Sequence, residues 1–393
     1  MTGLELSQVR ALAISSDSGL AVDPRLAAGD TLTRQLAYAR YVARYDVVVR
    51  APAQAAPVRW RPSEQLRIRS VPASRWGFIV RGYQAALATA LRAGSQVVTC
   101  QDPFSTGLVG YLLKRRLGIG LNLQINGDVI DNPYFLGEHW LYPAFNRLAR
   151  WLIPRADTLR VSTTAERRKL IEQWGLAPER IWNVPFLVDF RRFLAAQPGT
   201  TRQWLGVPSD APLVLFLGRL AKAKDLGVLL RAVPGVLARH PQAVFVLAGA
   251  GPEEPKLRRL AQELGIEASL RFPGRVPNAD VPSLYAAADL FVLSSHYEGT
   301  SMVTLEAAAS ALPIVSTDVT GALDAVIDGE TGFLVPKRDS RALAEALARL
   351  LADPIRAREM GRRGREHVLA RFDPERIARQ MAELWYATAR LAQ

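Results

Sequence analysis

Cysteine and lysine are both scarce in this chain of 393 residues. Cys100 is the single cysteine, so no disulfide can form within the chain, which is typical of a reducing compartment such as the cytoplasm. It ends the apolar segment Gln96–Cys100, which predicts a buried strand, so we expect the thiol to pack in a core rather than act as a nucleophile. Six lysines stand against forty-four arginines, so arginine carries nearly all of the positive charge.

Long hydrophobic runs are also missing, although 49% of the residues are hydrophobic. No run approaches the eighteen apolar residues that a membrane-spanning helix needs. Near the N-terminus, Glu5 and Arg10 interrupt the apolar core that a signal peptide would have, and no small-residue cleavage site follows. The sequence therefore predicts a cytoplasmic protein without a membrane span.

Motifs that would indicate two other functions are absent. A Rossmann-type NAD(P)-dependent oxidoreductase would need Gly-x-Gly-x-x-Gly after a strand, with an acidic residue about twenty positions later. Ser15–Leu20, which follows the first predicted strand, lacks those glycines. A basic nucleic-acid-binding protein would need stacking aromatic residues or a known module beside its charge, and the sequence shows neither. These two classes remain the alternatives.

Positive charge is what the chain has in excess, with a formal net charge of +13 and a pI of about 10.3. Residues 1–190 contain 24 Lys and Arg against 15 Asp and Glu, a net charge of +9, and the remainder contributes +4. Such a surface favours phospholipid headgroups, lipid diphosphates or nucleic acid, unless the arginines are merely solvated. The basic residues of the first half cluster at Arg59, Arg61, Arg67, Arg69, Arg75 and Arg81, at Lys114, Arg115 and Arg116, and at Arg147, Arg150 and Arg155.

The order of predicted elements is α/β throughout, and the length of the chain favours two domains. Alternating strands and helices predict doubly wound parallel sheets with helices on both faces. The pattern breaks around Val184–Gly206, so we expect one domain over residues 1–190, a second over 191–373, and an amphipathic helix over 374–393. The predicted strands are Val9–Ile14, Val47–Val49, Val97–Cys100, Leu121–Ile125, Thr158–Val161, Leu213–Gly218, Val244–Ala248, Leu270–Phe272, Leu290–Leu293 and Ile314–Ser316. The predicted helices between them are Asp30–Arg44, Trp76–Arg92, Phe104–Leu117, Glu138–Ile153, Thr164–Trp174, Leu226–His240 and Pro255–Leu264.

The segment Phe291–Val335 is the most informative part of the sequence. Two short apolar runs, each typical of a buried parallel strand, flank a helical segment of small residues, which predicts a βαβ unit. Glu298 lies in the turn after the first strand, where open α/β sheets bind ligands. Eight residues of helix rise about 12 Å, which would place Glu298 at the mouth of the helix and Glu306 two turns inside. The amides of Gly299–Val303 would face outward and suit a diphosphate.

A carboxylate on either side of an anion site suits a nucleotide sugar. The ribose and hexose hydroxyls flank the diphosphate and can donate hydrogen bonds to ionised carboxylates. The plain alternative is that Glu298 and Glu306 are ordinary helix acids, one of them favourable to the helix dipole. The spacing alone leaves both interpretations open.

A series of motifs runs through the second half in a fixed order: Phe216–Leu220 with Lys222 and Lys224, Leu247–Glu253, Phe272–Pro277, Tyr297–Gly299, Leu305–Ala307, Leu312–Val315 and Asp328–Val335. Together they resemble the donor half of the retaining family 4 glycosyltransferases, also called glycosyl transferases group 1. The resemblance is close in the C-terminal half and loose in the N-terminal half. Ala311 departs from it, because the family usually has glycine before Leu-Pro.

This resemblance implies an α/β fold of the GT-B class, with two Rossmann-like doubly wound domains facing each other across a cleft and a C-terminal helix that crosses back to the first. It implies a retaining hexosyltransferase that moves a hexose from a UDP-, GDP- or ADP-linked donor to a lipid-linked or polysaccharide acceptor, as in the synthesis of cell-envelope glycans such as exopolysaccharide or lipopolysaccharide. Same-face substitution is expected, with the departing phosphate taking the acceptor's proton. No cofactor or metal is expected, since cationic side chains would serve instead and residues 191–393 contain no Asp-x-Asp motif.

The family's catalytic roles fall on Glu298, Arg219 and Lys224. Glu298 would contact the transferred sugar, and the two cations would stabilise the charge of the leaving diphosphate. Lys222 competes for the lysine role because it lies two residues from Lys224. Glu306 matches the ribose-binding acid. The other expected donor-binding residues are Arg275 and Val276 beside the base, Gly299, Thr300, Ser301, Met302 and Val303 beside the diphosphate, and Gly218 and Gly19.

The first half is expected to hold the acceptor and one wall over the sugar. Asn126 stands where many family members have histidine, and an amide cannot shuttle a proton at neutral pH. Gly19 is the one glycine of a turn in which the family often has more. Asp102 either binds an acceptor hydroxyl or caps a helix ahead of Pro103. The acceptor-side candidates are Asp17, Asp102, Asn126 and Asp128.

The expected partners are therefore a nucleotide sugar, a glycan or lipid-linked acceptor, and no nucleic acid. Peripheral contact with the anionic inner face of the cell membrane is expected from the arginines of the first half. The segment Trp140–Arg155 alternates aromatic and basic residues, and it would either dock on a membrane interface or pack on its own sheet.

Overall fold

The computed structural model describes residues 5–21 and 31–392. The chain folds as two compact units, of which the first contains Met1–Asp189 and Phe372–Gln393 and the second contains Phe190–Arg371. In the part of the chain that the structure describes, no helix has both the length and the apolar character needed to cross a bilayer.

Strands supply the framework of both units. Those of the first unit are β1 (Arg10–Ser15), β2 (Arg44–Ala51), β3 (Arg59–Trp60), β4 (Leu66–Pro72), β5 (Val97–Cys100), β6 (Gly120–Ile125), β7 (Thr158–Val161) and β8 (Ile181–Asn183). Those of the second are β9 (Leu213–Leu217), β10 (Val244–Ala248), β11 (Leu270–Gly274), β12 (Leu290–Leu293), β13 (Ile314–Thr317) and β14 (Gly332–Val335).

Helices connect successive strands. The first unit has α1 (Thr31–Ala39), α2 (Gly77–Ala93), α3 (Ser105–Leu117), α4 (Pro133–Gly137), α5 (Tyr142–Leu152) and α6 (Thr164–Glu172). The second has α7 (Arg191–Leu194), α8 (Thr201–Trp204), α9 (Leu226–Leu237), α10 (Glu254–Glu263), α11 (Val281–Ala287), α12 (Met302–Ala309), α13 (Ser340–Ala352) and α14 (Pro354–Arg371), and the first unit ends with α15 (Pro374–Leu391).

The first unit is built on an eight-stranded sheet in the order β3-β4-β2-β1-β5-β6-β7-β8. Neighbouring strands are parallel except for the short edge strand β3, which runs antiparallel to β4. The strand order reverses between β1 and β5, so ligands are expected at the carboxyl ends of these two strands. Cys100 at the end of β5 is fully buried, as predicted, and burial raises the pKa of its thiol.

The second unit is built on a parallel sheet in the order β11-β10-β9-β12-β13-β14. Its strands are nearly continuous apolar runs, and β10, β12 and β13 are buried along their whole length because helices cover both faces. The order reverses between β9 and β12. The loops that follow these two strands therefore meet at the switch point of the sheet.

The C-terminal helix α15 belongs to the first unit, where its apolar face is buried. Asp373 caps it by accepting the amide of Arg376 at 2.6 Å. Trp385 is fully buried, and its ring lies 6.0 Å from Tyr38 and 4.7 Å from Tyr45 between ring centres. Gly120 lets the helix approach β6 closely, since a Cβ there would lie 2.3 Å from the carbonyl oxygen of Thr388.

Several predicted boundaries in the first unit were wrong. The predicted helix Asp30–Arg44 ends at Ala39, and Arg44 instead begins β2; Asp30 itself lies outside the described residues. The predicted helix Glu138–Ile153 corresponds to α5 alone, which begins only at Tyr142 and ends at Leu152, and the short helix α4 before it was not predicted. Strands β3, β4 and β8 of this unit, and β14 of the second unit, were not predicted. In β4 the arginines alternate with buried apolar residues, a half-buried strand pattern that its charge obscured.

Candidate active site

Two loops meet at the switch point of the second unit. One follows β9 and contains Arg219 and a 3₁₀ turn over Lys222–Lys224, and the other follows β12 and contains Glu298. Lys224 Nζ forms an ion pair with Glu298 Oε1, in which both side chains are largely buried. Lys222 is exposed, so of the two candidate lysines the structure places Lys224 beside the carboxylate.

Further hydrogen bonds hold these two loops together. The hydroxyl of Ser294 donates to the carbonyl of Lys224 at 2.8 Å, and the amide of His296 donates to the carbonyl of Ala223 at 2.8 Å. The imidazole Nε2 of His296 lies 3.2 Å from a carboxylate oxygen of Asp225. Asp225 has φ +42° and ψ 44°, a left-handed conformation that non-glycine residues adopt at a cost and that recurs at functional sites.

Glu298 offers one free carboxylate oxygen. Oε1 accepts the hydroxyl of Ser295 at 2.7 Å and contacts Lys224, whereas Oε2 has no hydrogen-bond partner among the described residues. The side chain of Glu298 is 12% exposed. The ion pair therefore fixes the orientation of the carboxylate and leaves one oxygen able to accept a hydrogen bond from a ligand.

Helix α12 begins later than the sequence predicted. Ser301 is its N-cap, with φ −83° and ψ 93°, so the helix starts at Met302 and Glu298 lies in the preceding loop rather than at the helix mouth. Glu306 is consequently one turn inside the helix and not two. The small residues Gly299 and Ser301 favour extended loop conformations over helix, which explains the late start.

The start of α12 has unsatisfied donors. The amides of Gly299 to Val303 have no hydrogen-bond partner among the described residues, as is usual for a first helical turn. The hydroxyls of Thr300 and Ser301 are buried and also lack a partner there. Backbone amides, the helix dipole and two hydroxyls together suit the oxygens of a phosphate group.

The carboxylate of Glu306 contacts Tyr285 and Arg192. The hydroxyl of Tyr285 donates to Glu306 Oε2 at 3.1 Å, and Arg192 Nη2 lies 3.7 Å from Oε1. Tyr285 is fully buried, and burial together with the nearby carboxylate raises the pKa of its phenol. Because both partners favour an ionised carboxylate, Glu306 is prepared to accept hydrogen bonds from sugar hydroxyls.

Glycines allow these loops to pack backbone against backbone. A Cβ on Gly249 would lie 1.8 Å from the carbonyl oxygen of Gly218, and one on Gly321 would lie 1.9 Å from that of Gly299. Gly249 has φ +140°, which favours glycine as well. The motif containing Gly249 therefore positions the loop of Gly218 and Arg219.

The remaining donor-side candidates lie in loops that follow the strands. Arg219 is exposed and next to the β9 strand end, as expected for a residue that meets a ligand. Arg275 is exposed and Val276 half-buried after β11, two strands away from β9. The structure thus places Gly218, Arg219 and the Val276 loop at the same edge of this sheet as Glu298.

In the first unit, Asn126 and Asp17 lie near the carboxyl ends of the central strands. The amide of Asn126 donates to the carbonyl of Gln101 at 2.8 Å, and its Oδ1 is buried without a partner. Asp17 accepts the amide of Gly19 at 3.0 Å through Oδ1. The backbone amide of Gly19, a donor-binding candidate, is therefore already hydrogen-bonded to a carboxylate in this structure.

Asp102 and Asp128 have structural partners. Oδ1 of Asp102 accepts the amides of Phe104 and Thr106 at 2.9 and 3.3 Å, so it holds the start of α3, although the N-cap of this helix is Phe104 and not Asp102. Burial raises the pKa of the Asp102 carboxyl, although these bonds oppose the shift. Asp128 pairs with Lys169 at 3.0 Å and accepts a hydrogen bond from Asn132 at 2.7 Å.

Sequence reasoning missed the residues that hold the candidates in place. Ser295 and His296 directly precede the motif that contains Glu298, so their position was a usable signal. Asp225 follows Lys224 and was equally close to a recognised motif. Tyr285 and Arg192 gave no signal, since they are 21 and 114 positions from Glu306 in the chain.

Within residues 5–21 and 31–392, no group of three or more His, Cys, Asp and Glu side chains is arranged to hold a metal ion.

Comparison with known families accounts for most of the chain. The sequence-family model described as glycosyl transferases group 1 matches residues 199–367, and the one described as glycosyl transferase 4-like domain matches residues 30–187. A D-inositol 3-phosphate glycosyltransferase from Saccharomonospora viridis is 30% identical over 362 residues, covering 86% of this chain and 84% of that protein. D-inositol 3-phosphate glycosyltransferase 2 from Catenulispora acidiphila is 34% identical, covering 71% and 68%.

Solved structures match along nearly the whole chain. Sucrose-phosphate synthase from Thermosynechococcus elongatus has a TM-score of 0.79 at 25% identity, covering 96% of this chain and 98% of that one. Anabaena HepE in complex with UDP-glucose has a TM-score of 0.73 at 21% identity, covering 95% and 98%. None of these matches favours an oxidoreductase or a nucleic-acid-binding protein.

Proposed function

Because this chain belongs to the family of glycosyl transferases group 1, we propose that it moves a hexose from a nucleotide diphosphate sugar to a lipid-linked or polysaccharide acceptor, with retention of the anomeric configuration. The chain is a glycosyltransferase with a fold of the GT-B class. The Lys224–Glu298 ion pair beside the unsatisfied donors of α12 carries the proposal. The UDP-glucose in HepE supports a nucleotide-sugar donor.

The donor's diphosphate binds at the start of α12. Its oxygens accept hydrogen bonds from the free amides and from the hydroxyls of Thr300 and Ser301. Glu306 accepts the ribose hydroxyls, and Arg275 with the backbone of Val276 lines the base pocket. The transferred sugar then lies near the free oxygen of Glu298.

Transfer proceeds by same-face substitution. The bond between the anomeric carbon and the phosphate oxygen breaks, and the acceptor oxygen bonds to the same face of that carbon while its proton passes to the departing phosphate. Arg219 and Lys224 stabilise the negative charge that develops on the diphosphate, so no metal is required. Glu298 stabilises the positive charge on the sugar in the transition state.

The first unit provides the acceptor side. Asn126, Asp17, Asp102 and Asp128 lie there, although the partners of Asp102 and Asp128 favour positioning roles over direct contact. The glycan or lipid-linked acceptor would be a precursor of the cell envelope, taken at the cytoplasmic face of the membrane.

A donor panel tests the proposal. Purified protein is titrated calorimetrically with UDP-, GDP- and ADP-glucose and with UDP-, GDP- and ADP-mannose, and the product formed from an α-linked donor is analysed by NMR in the presence of EDTA. We expect binding of one nucleotide class, an α-linked product and activity that survives EDTA. A β-linked product would exclude retention, and loss of activity in EDTA with recovery on Mg²⁺ or Mn²⁺ would exclude metal independence.

The role of Glu298 is tested separately by Glu298→Ala, with the exposed Glu330→Gln of the same unit as the matched control. The variant should lose kcat by orders of magnitude and bind the nucleoside diphosphate almost normally, because an interaction strongest in the transition state contributes little to ground-state binding. An equal loss of affinity and kcat would make Glu298 a donor-binding residue only.

A further inference from the structure

A small polar cavity lies within the first unit, near the carboxyl ends of β1, β5 and β6. Its volume is 40 Å³, enough for a few water molecules or for one carboxylate or phosphate group. We call it the Arg160 cavity. The residues that matter for its chemistry are Arg34, Tyr38, Asn126, Arg160, Phe186 and Asp17.

Arg160 is a buried cation whose hydrogen bonds all go to neutral oxygens. It is 2% exposed and donates to the carbonyls of Val184 and Pro185 at 2.9 and 2.8 Å and to the amide oxygen of Gln124 at 2.8 Å. No carboxylate of the described residues lies within ion-pair distance. A buried charge without a counter-charge is destabilising by several kcal/mol. Burial accordingly lowers the pKa of this guanidinium.

A second arginine shares the same aromatic ring. The guanidinium carbon of Arg34 lies 5.3 Å from the ring centre of Phe186, and that of Arg160 lies 4.9 Å from it. Arg34 also forms no ion pair in the described structure, and its Nε is buried without a hydrogen-bond partner. Two cations thus converge on one cavity.

Further polar atoms at the cavity lack partners. The hydroxyl of Tyr38 and Oδ1 of Asn126 are both buried with no hydrogen bond. Buried polar groups are nearly always paired in folded proteins, so a cluster of unpaired ones indicates a missing ligand or water. The unpaired donors, Arg34 Nε and Tyr38 OH, suit the oxygens of an anion.

The neighbouring carboxylates do not pair with the arginines. Asp17 lines the cavity, but its two oxygens accept the amide of Gly19 and the hydroxyl of Thr31 at 3.0 and 3.2 Å. Glu166 does not line the cavity: its Oε2 accepts three hydrogen bonds from Ser162 and Thr163 at the start of α6, and its Oε1 is buried without a partner among the described residues. Neither compensates the arginines through a direct contact.

We propose that the Arg160 cavity binds a carboxylate or phosphate group carried by one of the enzyme's two substrates. The proposal rests on the function proposed above, since it assigns an anionic group to the donor sugar or to the acceptor. Arginine binds both groups through paired N–H donors, and stacking on Phe186 holds the guanidinium planes in place. The sugar or acceptor that the protein selects is therefore an acidic one.

The test uses calorimetry to compare probes that carry an additional carboxylate or phosphate group with analogues that lack it. UDP-glucuronate is titrated against UDP-glucose to examine the donor, and glucose 6-phosphate against glucose to examine the acceptor side. Both pairs are measured with the natural protein, with Arg34→Gln and with Arg147→Gln. Arg147 is an exposed arginine of the same unit, so its variant loses the same charge outside the cavity. Arg34 is chosen because Arg160 also holds the chain at Val184 and Pro185, and its loss would disturb folding.

We expect one of the probes with the additional anionic group to bind about tenfold or more tightly than the analogue that lacks it, a ratio typical of a charge-assisted hydrogen bond. Arg34→Gln should bring that ratio to near one, and Arg147→Gln should leave it unchanged. A preference confined to UDP-glucuronate assigns the anion to the donor, and one confined to glucose 6-phosphate assigns it to the acceptor.

Three results would overturn the proposal: no preference for either probe with the additional anionic group, a preference that survives Arg34→Gln, or an equal loss in Arg147→Gln. Failure of the proposed function is visible independently. If no UDP-, GDP- or ADP-linked sugar binds any of the three proteins, the donor assignment fails, whereas the glucose 6-phosphate pair still decides whether the cavity takes an anion.

Discussion

Glu306 is a candidate ligand-binding residue that also contacts Tyr285 and Arg192 within the protein. Glu306→Gln keeps the size of the side chain and removes its charge. We expect UDP to bind about 1–2 kcal/mol more weakly, because ribose hydroxyls lose a charge-assisted acceptor. Calorimetry measures the loss, with Glu330→Gln as the control.

The internal contacts of Glu306 require a parallel measurement of thermal stability. If Glu306→Gln lowered the melting temperature and left UDP affinity unchanged, the residue would serve the Tyr285–Arg192 contacts rather than the donor.

Glu166 should make the stability of the first unit depend on pH. Burial raises the pKa of its carboxyl from 4.5 to about 7, although hydrogen bonds from Ser162 and Thr163 oppose the shift. A carboxyl whose pKa is higher in the folded than in the unfolded protein stabilises the fold most at pH values below its unfolded pKa. This stabilisation is lost as the pH rises through the folded pKa. Between pH 4.5 and 7 the free energy of unfolding is expected to fall by about 3 kcal/mol for this reason.

The matched variant is Glu166→Gln, which keeps an acceptor at the start of α6 and cannot ionise. Its melting temperature relative to the natural protein should rise from pH 4.5 to pH 7. Glu172→Gln, at the exposed end of the same helix, should show no such trend. If the difference in melting temperature between Glu166→Gln and the natural protein stayed constant across this range, folding would not raise the pKa of Glu166.

At the scale of elements, the turn between α12 and β13 contains a strained residue. Ala311 has φ +59°, a left-handed conformation, at the position where the resembling family usually has glycine. Strain of about 1–2 kcal/mol is relieved by glycine, against an entropic cost of somewhat under 1 kcal/mol in the unfolded chain. Ala311→Gly should therefore stabilise the second unit by about 0.5–1 kcal/mol.

Chemical denaturation of the second unit measures this change. Ala307→Gly, inside α12, is the opposite control because it should destabilise the unit by about 1 kcal/mol. Equal destabilisation by both variants would show that the strain at Ala311 is negligible.

The local sequence pattern is enough to predict the boundaries of some elements but not of others. Strands β10 and β12 match the prediction because each is a short apolar run with a polar residue or a glycine close to either end. Helix α12 began four residues after Glu298 because Gly299 and Ser301 prefer loop conformations, which an apolar period does not register. Strand β4 was missed because its arginines resembled a surface charge run, although its other side chains face the core.

At the scale of the whole molecule, the charge predicts peripheral membrane binding. The first unit exposes Trp140 and Trp76, at 81% and 56%, among the arginines of residues 1–190. Most other apolar residues of the segment Trp140–Arg155 are buried or half-buried, as the packing alternative predicts, so Trp140 and Trp151 are the large hydrophobic side chains that remain exposed there. Tryptophan favours membrane interfaces, and arginine favours anionic headgroups.

We expect the protein to float with anionic liposomes and to detach as salt approaches about 0.5 M, where screening shortens the range of charge attraction to a few ångströms. Trp140→Ala should weaken binding at low salt, whereas Trp204→Ala, an exposed tryptophan of the second unit, should not. Equal recovery with neutral and anionic vesicles would mean that the arginines are only solvated.

The sequence by itself determined the α/β class, the family, and the positions of Arg219, Lys224 and Glu298 in loops that follow strands. These follow from local order, because polar residues directly after an apolar strand lie at the same edge of a parallel sheet. Tertiary structure alone decided that Lys224 and not Lys222 meets Glu298. It also brought Tyr285 and Arg192 to Glu306, and Arg34 and Arg160 to one phenylalanine ring. Such contacts join residues up to 152 positions apart, and they depend on strand order and packing that no local stretch of sequence contains.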